Sequence, residues 1–457
     1  MRLSILNVNQ ETVSFLKGKK ISVLGMGRSG KAVAKLLSDV GAKVFCSDSS
    51  NVEGLESLGL PFETGGHSER IFASDMIVVS PGIPMNSEVL VKARSLSILL
   101  RGELDLAAEL LPCNYAAVTG TSGKSTTTAL IAHMLNKAGI KSRPVGNIGD
   151  ALSNHVVEAQ PDWVLSIEVS SFQCELMETF HPKTAVFTNL SQDHLNRHTS
   201  MEEYASLKEK VLARMDGEDL VVVNADDRWS SSLDGKTCAN VASFSRKNGP
   251  NIEAYFDGKD IYIRGKRVSS LSDYQLVGDF NALNLMAASL AVSRFGVDSA
   301  LALTTAKDFV PLDHRLQFVG EWGGIRFIND SKSTKPEATI LAVKSLPGPF
   351  VIILGGSEKG SDFSELAVNF GEVRYAVLHG ITAPKIEKAL RDGGFDRIVV
   401  AKDQSEAIRK AIKVAKPGDT VLLSPACASF DQFKDYEHRG RMFCQEVREL
   451  AQKGLRF

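Results

Sequence analysis

Short apolar runs recur along the chain, each followed by a turn rich in glycine, serine or threonine and then by a stretch with helical spacing. Ile21-Ser22-Val23-Leu24 leads into Gly25-Met26-Gly27-Arg28-Ser29-Gly30 and the helical stretch KAVAKLLSDVG, after which the strand AKVFCSD begins. DMIVVS then runs into the rigid turn Ser80-Pro81-Gly82-Ile83-Pro84. A second series starts with YAAV at Tyr115 and the helix STTTALIAHMLNKAG, and continues through DWVLSIEVSS, TAVFTNL and the helix MEEYASLKEKVLARM. After the helical segment NALNLMAASLAVSRFG, a third series alternates FIND, FVIILGG, YAVLHG, DRIVVA and TVLLS with helical stretches. Strands alternating with helices predict mostly parallel sheets. The expected organisation is α/β with three domains, at residues 1–101, 102–311 and 312–457.

Length agrees, because 457 residues exceed what one compact core accommodates. With 53 basic and 54 acidic residues the net charge is -1, so no bulk attraction to nucleic acid or to a membrane surface is expected. Six cysteines are scattered without a CxxC pair, which argues against a zinc site or a disulfide framework and fits a reducing cytoplasm. No run approaches the ~18 apolar residues of a membrane span, and the stretch MRLSILNVNQETVSFLKGKK has no long apolar core or cleavage site. A soluble cytoplasmic protein is the expectation.

The chemistry concentrates at strand ends. In AVTGTSGKSTTT, Gly120, Thr121, Ser122, Gly123, Lys124, Ser125 and Thr126 have the make-up of a phosphate-binding loop, except that two residues rather than four separate the first glycine from Gly-Lys. Such a loop cradles phosphate oxygens on backbone N–H groups, with lysine adding charge and serine a magnesium ligand. Glu168 lies near the end of DWVLSIEVSS, where a nucleotide-binding sheet needs a second hard ligand. His194 follows Asp193 in a turn and is either structural or a second-metal ligand. Lys208 falls on the apolar stripe of MEEYASLKEKVLARM, so its head either reaches water or is paired, neutralised or chemically changed. In the first series Asp48 stands eighteen residues beyond Gly30, the layout of a dinucleotide-binding βαβ unit with the acid on a ribose hydroxyl. In the third, the loops at Asn329–Thr334, Gly355–Lys359 and Ser424–Phe433 share one sheet edge and suit a small anionic substrate.

Taken together, TGTSGKSTTT, GNIG at Gly146, EVSSFQ at Glu168, DHLNRH at Asp193, the helical Lys208, NALN at Asn281 and DHR at Asp313 resemble the Mur ligases, ATP-dependent amide-forming enzymes of peptidoglycan precursor synthesis. Their shortened phosphate loop accounts for the spacing here. GMGRSG, SPGIP, DSKST and SPACASFDQF with DYEHRG are similar to the D-glutamate-adding members, whereas the Asp-Asn-Pro-Arg motif of diaminopimelate- or lysine-adding relatives is missing. Phe280, where many relatives have histidine, and Tyr436, where some have phenylalanine, depart from the pattern.

The resemblance implies a Rossmann-like N-terminal domain, a central P-loop ATPase-like domain and a Rossmann-like C-terminal domain. It implies that ATP phosphorylates the carboxylate of UDP-N-acetylmuramoyl-L-alanine and that D-glutamate displaces the phosphate. Lys124 would bind phosphate, Ser125 and Glu168 one Mg²⁺, and His194 and a carbamylated Lys208 a second. Asn147, Asn281, Arg315 and Asp330 would contact the nucleotide, Asp330 at its ribose, and Lys332 the acyl phosphate. Thr334, Lys359, Ser429 and Tyr436 would hold D-glutamate. Arg28, Ser29, Asp48, Ser49, Ser80, Gly82 and Ser170 would bind the UDP-sugar. A monomer whose third domain swings during turnover is also implied. The alternatives are a related ligase with another amino-acid acceptor and an NAD(P)-dependent dehydrogenase, the latter leaving the second series unexplained.

Overall fold

The computed structural model describes residues 8–192, 197–276, 278–358 and 360–454. The chain forms two compact units, one of Met1–Tyr274 with Phe280–Phe309 and one of Gln275–Asp279 with Val310–Phe457. Three sheets account for the three expected α/β domains, and the first two share the first unit.

The first sheet has the order β3-β2-β1-β4-β5, from β1 (Lys20–Leu24), β2 (Lys43–Ser47), β3 (Phe62–Glu63), β4 (Met76–Val79) and β5 (Leu99–Gly102), all parallel. Chain order reverses between β1 and β4, the place where parallel sheets open a ligand crevice. The glycine turn after β1 and Ser80 after β4 meet there, with the Ser80 hydroxyl donating to the Gly25 carbonyl at 2.6 Å. A Cβ on Gly30 would stand 1.8 Å from that same carbonyl, so only glycine lets the helix Arg28–Asp39 start so close to the strand.

The second sheet runs β14-β13-β12-β11-β10-β9-β6-β8-β7. Its parallel part is β6 (Asn114–Thr119), β7 (Pro144–Gly146), β8 (Val164–Glu168), β9 (Thr184–Phe187), β10 (Leu220–Asn224) and β11 (Asn240–Ser245). β12 (Ala254–Phe256), β13 (Asp260–Ile263) and β14 (Lys266–Ser270) extend it as an antiparallel meander. One hydrophobic core runs from Val23 and Val78 of the first sheet through Leu106 and Leu110 to Leu165 and Ile167 of the second, which makes the two sheets one body.

The third sheet, order β15-β16-β20-β17-β18-β19, contains β15 (Gln317–Trp322), β16 (Ile325–Asn329), β17 (Phe350–Gly355), β18 (Val373–His379), β19 (Ile398–Val400) and β20 (Thr420–Leu423). Only β15 is antiparallel. β17 is buried along its whole length: Phe350, Ile352 and Leu354 enter one core and Val351 and Ile353 the other. Burial on both faces is why parallel strands read as unbroken apolar runs.

Between the first two sheets lies Glu103, first residue of the helix Glu103–Glu109, 2% exposed and accepting from the Ser153 hydroxyl at 2.7 Å. Burial pushes its carboxyl from 4.5 up to about 7. In that pH window the folded state holds a proton that the unfolded state has released, so its contribution to stability falls as pH rises. Glu103→Gln, which keeps an acceptor for Ser153, should therefore gain on the wild type in urea unfolding between about pH 5 and about pH 8, by at most roughly 3 kcal/mol. A pH-independent difference would contradict this burial.

Candidate active site

β6 lies between β8 and β9, and its register sets Val118 beside Glu168 and Thr119 beside Phe187. The loop Gly120–Gly123 thus emerges between the ends of two parallel neighbours, and the helix Lys124–Lys137 starts immediately after it. Gly120 has φ +136°, and a Cβ there would lie 2.0 Å from the Thr188 hydroxyl. The residues after β9 hold the loop: Thr188 Oγ1 donates to Ser122 O at 2.7 Å, while Asn189 accepts from Thr121 N through its carbonyl (2.8 Å) and from Ser122 N through its side chain (2.9 Å). Two amides expected to cradle phosphate are thus engaged by Asn189, a residue whose role the sequence reading missed. Lys124 Nζ donates to Thr121 O at 2.8 Å, and Ser125 and Thr126 are buried in the first helical turn.

Glu168 is 3% exposed, not a solvated strand-end acid. Its Oε1 accepts from Asn147 Nδ2 at 2.7 Å, and its carbonyl from Asn147 N at 3.0 Å, so the GNIG turn orients the carboxylate. Asn281 and Asn284 stand one turn apart on the helix Asp279–Val292 and are linked at 2.9 Å, and Asn284 Oδ1 accepts from the Thr127 hydroxyl at 3.3 Å. That places NALN over the start of the phosphate-loop helix.

Lys208 is 1% exposed, which decides between the two readings of its stripe. Its ammonium does not reach water. Nζ donates to the Gly120 carbonyl at 2.8 Å and sits 4.6 Å from the Tyr204 ring centroid. Burial, reinforced by Lys124, lowers its pKa from 10.5 to about 7, with Glu168 opposing. The α-helix carrying it, Met201–Glu209, is shorter than the apolar stripe suggested, because Lys210–Leu212 tightens into a 3₁₀ turn. His198, the last residue of DHLNRH, is given no role by the sequence: 2% exposed, it joins the Ser171 hydroxyl at 2.9 Å and packs at a tilt against the rings of Phe172 and Tyr204. His194 and Lys359 lie outside the described residues.

At the first-sheet crevice, Asp48 is turned toward the glycine turn, accepting from Met26 N at 2.6 Å and Ser50 N at 2.8 Å. Arg28 and Ser29 open the helix beside it, Ser49 and Gly82 are exposed, and Arg28 Nη1 reaches Gly149 O at 3.4 Å. Ser170 caps the short helix Ser171–Cys174 in a reciprocal box with Gln173.

In the second unit, the loops after β16, β17 and β20 converge. Ser357 N donates to Ala428 O at 2.8 Å, and Ser331 Oγ donates to Tyr436 O at 2.8 Å. Lys332 Nζ stands 5.7 Å from the Tyr436 ring centroid, with Thr334 partly exposed on the same loop and Ser429 buried on the other. Asp330 is turned inward: its carboxylate accepts from the hydroxyls of Ser333 (2.5 Å) and Ser424 (2.8 Å), and burial raises it to about 6 while neighbouring Arg315 pulls it down. Arg439, fully buried, donates to Ser331 O, Ser331 Oγ, Cys427 O and Ala428 O at 2.8–3.2 Å, tying two of the loops together. Its partners are mostly backbone carbonyls, so no charge pattern in the sequence announced it.

Three family models match the chain: the MurD N-terminal domain at residues 20–89, the Mur ligase middle domain at 118–292, and the Mur ligase glutamate ligase domain at 314–427. Proteins named UDP-N-acetylmuramoylalanine--D-glutamate ligase are similar over nearly the whole length. The one from Pelotomaculum thermopropionicum is 40% identical over 448 residues, covering 94% of this chain and 98% of the relative. The one from Caldanaerobacter subterraneus is 38% identical over 446 residues, covering 95% and 99%. Among solved structures, UDP-N-acetylmuramate-alanine ligase from Thermotoga maritima shares the fold, with a TM-score of 0.65, 22% identity and coverage of 94% of this chain and 99% of that one. The chain belongs to the Mur ligase family.

Proposed function

We propose that this protein is the ATP-dependent ligase that joins D-glutamate to UDP-N-acetylmuramoyl-L-alanine, giving ADP and phosphate, in cytoplasmic peptidoglycan precursor synthesis. The observation that carries the reading is the phosphate loop set against the buried side chains of Glu168 and Lys208, in a chain whose relatives over at least 94% of its length bear that ligase name. Among the described residues no helix is long and apolar enough to cross a membrane. A dehydrogenase reading has no use for this assembly.

A carboxylate resists attack by an amine until one oxygen becomes a leaving group. Transfer of the γ-phosphoryl group to the L-alanine carboxylate forms a phosphorus–oxygen bond to that oxygen and releases ADP; the amine of D-glutamate then adds to the acyl carbon, phosphate departs, and the amine loses a proton. Both steps crowd negative oxygens, so positioning and cationic stabilisation carry catalysis. Lys124 lies at the phosphate loop to meet the triphosphate. Asn147 fixes the Glu168 carboxylate, and Asn281 borders the nucleotide through Asn284 and the loop helix. In the second unit, Lys332 serves the acyl phosphate, and Thr334, Lys359, Ser429 and Tyr436 hold D-glutamate. Asp330, through Ser333 and Ser424, orders the loop bearing Lys332. Arg28, Ser29, Ser49, Ser80, Gly82 and Ser170 line the path of the UDP-sugar.

The buried hydroxyl of Ser125 and the buried Glu168 carboxylate suit a hard divalent cation, and His194 with a carbamylated Lys208 would complete a second site. Magnesium supplies charge neutralisation of the phosphate oxygens when bound. With its pKa lowered to about 7, Lys208 offers a neutral amine near physiological pH. That amine adds to CO₂, forming a nitrogen–carbon bond and releasing one proton, and so becomes an anionic oxygen donor.

Offered L-alanine, D-glutamate, L-lysine and meso-diaminopimelate in parallel, with the UDP-sugar and MgATP, the protein should release phosphate with D-glutamate and not with the others. Turnover with another acceptor, or NADH oxidation, would overturn the assignment. In ¹³C-labelled bicarbonate, the wild type should show a carbamate carbon resonance missing from Lys208→Ala. A wild type without that resonance would remove the carbamate.

A further inference from the structure

Arg197 lies within DHLNRH but has been given no role above, and its guanidinium links the loops of two sheets. Nε and Nη2 donate to the two oxygens of Glu175 at 2.9 and 2.6 Å, a bidentate pair in which both side chains are largely buried. On its other side the same group donates to three successive carbonyls of the loop after β4: Pro81 (3.3 Å), Gly82 (3.3 Å) and Ile83 (2.7 Å). Phe172 lies 5.0 Å from the guanidinium carbon. Glu175 is itself held, its carbonyl accepting from Lys210 Nζ at 2.8 Å.

We propose that Arg197 is a positioning residue for the UDP-sugar: it clamps the Ser80–Pro84 loop of the first sheet to the Ser170–Glu175 turn of the second and so fixes the span between the UDP edge and the phosphate loop. The inference rests on the ligase reading. A donor held by uridine diphosphate at one sheet presents its carboxylate at the other only if that span is constant, and small displacements of a reacting oxygen are costly. Among the described residues, Arg101 of β5 meets Thr179 at 3.0 Å without touching the loop. Ser153–Glu103 and Thr179–Asp105 lie on the helix after β5, and Arg28–Gly149 is long at 3.4 Å. Lysine cannot substitute, because a single ammonium lacks the planar fork that meets a carboxylate bidentately while serving carbonyls behind it.

Binding of UDP-N-acetylmuramoyl-L-alanine and, separately, of a non-hydrolysable ATP analogue with magnesium should be measured by calorimetry for the wild type, Arg197→Ala and Arg197→Lys. Both variants should bind the UDP-sugar about tenfold or more weakly, with a matching rise in its KM, while affinity for the ATP analogue and KM for D-glutamate stay within about twofold. UDP-sugar affinity unchanged in Arg197→Ala would overturn the clamp. So would a parallel loss of nucleotide affinity in both variants, which marks general damage. Arg197→Lys indistinguishable from wild type would likewise exclude the fork. A wild type that fails to bind the UDP-sugar strikes the ligase reading instead.

Discussion

The hydrogen bond from the buried ammonium of Lys208 to the Gly120 carbonyl is the contact on which the first unit's chemistry depends. A lysine head out of water, next to a second lysine, is costly as a cation and inexpensive as a neutral amine or a modified anion. The fold pays that cost through the Tyr204 ring, the loop carbonyl and the proximity of Glu168. In return the helix Met201–Glu209 is fastened to the phosphate loop, and the Tyr204 hydroxyl meets the Thr121 hydroxyl at 3.3 Å. Burial and the neighbouring Lys124 both weaken the hold of Lys208 on its proton.

Around that contact, parallel topology does the gathering. Strands running the same way deliver their following loops to one edge, so residues far apart in the chain, such as Gly120, Glu168 and Thr188, become neighbours. Loops so gathered still need fixing, and the structure fixes them with polar side chains that reach backbone atoms. Asn189 does so for the phosphate loop, Arg197 for the loop after β4, and Arg439 for the loops after β16 and β20.

Much of this was legible in the sequence. The runs ISVL, MIVV, TAVF, FVIIL and TVLL are strands because parallel sheets bury both faces, and the Gly-Lys-Ser turn between strand and helix announces itself through spacing. Less legible were the strands of the meander Ala254–Ser270, where polar residues interrupt the pattern and pairing such as the Tyr255–Tyr262 stack exists only across strands. DHLNRH contains Arg197 and His198 and DYEHRG contains Arg439, but their roles, like that of Asn189, depend on partners that only the fold brings to them. Asp48 and Asp330 were recognised as special. In the structure the first braces the glycine turn through Met26 and the second braces its own loop through Ser333 and Ser424.

The proposed reaction turns on a carboxylate made reactive by phosphorylation at this loop. Its most direct measurement follows ¹⁸O from the L-alanine carboxylate of the UDP-sugar during turnover with unlabelled MgATP and D-glutamate. One labelled oxygen should appear in the released phosphate for each amide formed. Amide formation that leaves the phosphate unlabelled would contradict the acyl-phosphate route and the roles derived from it.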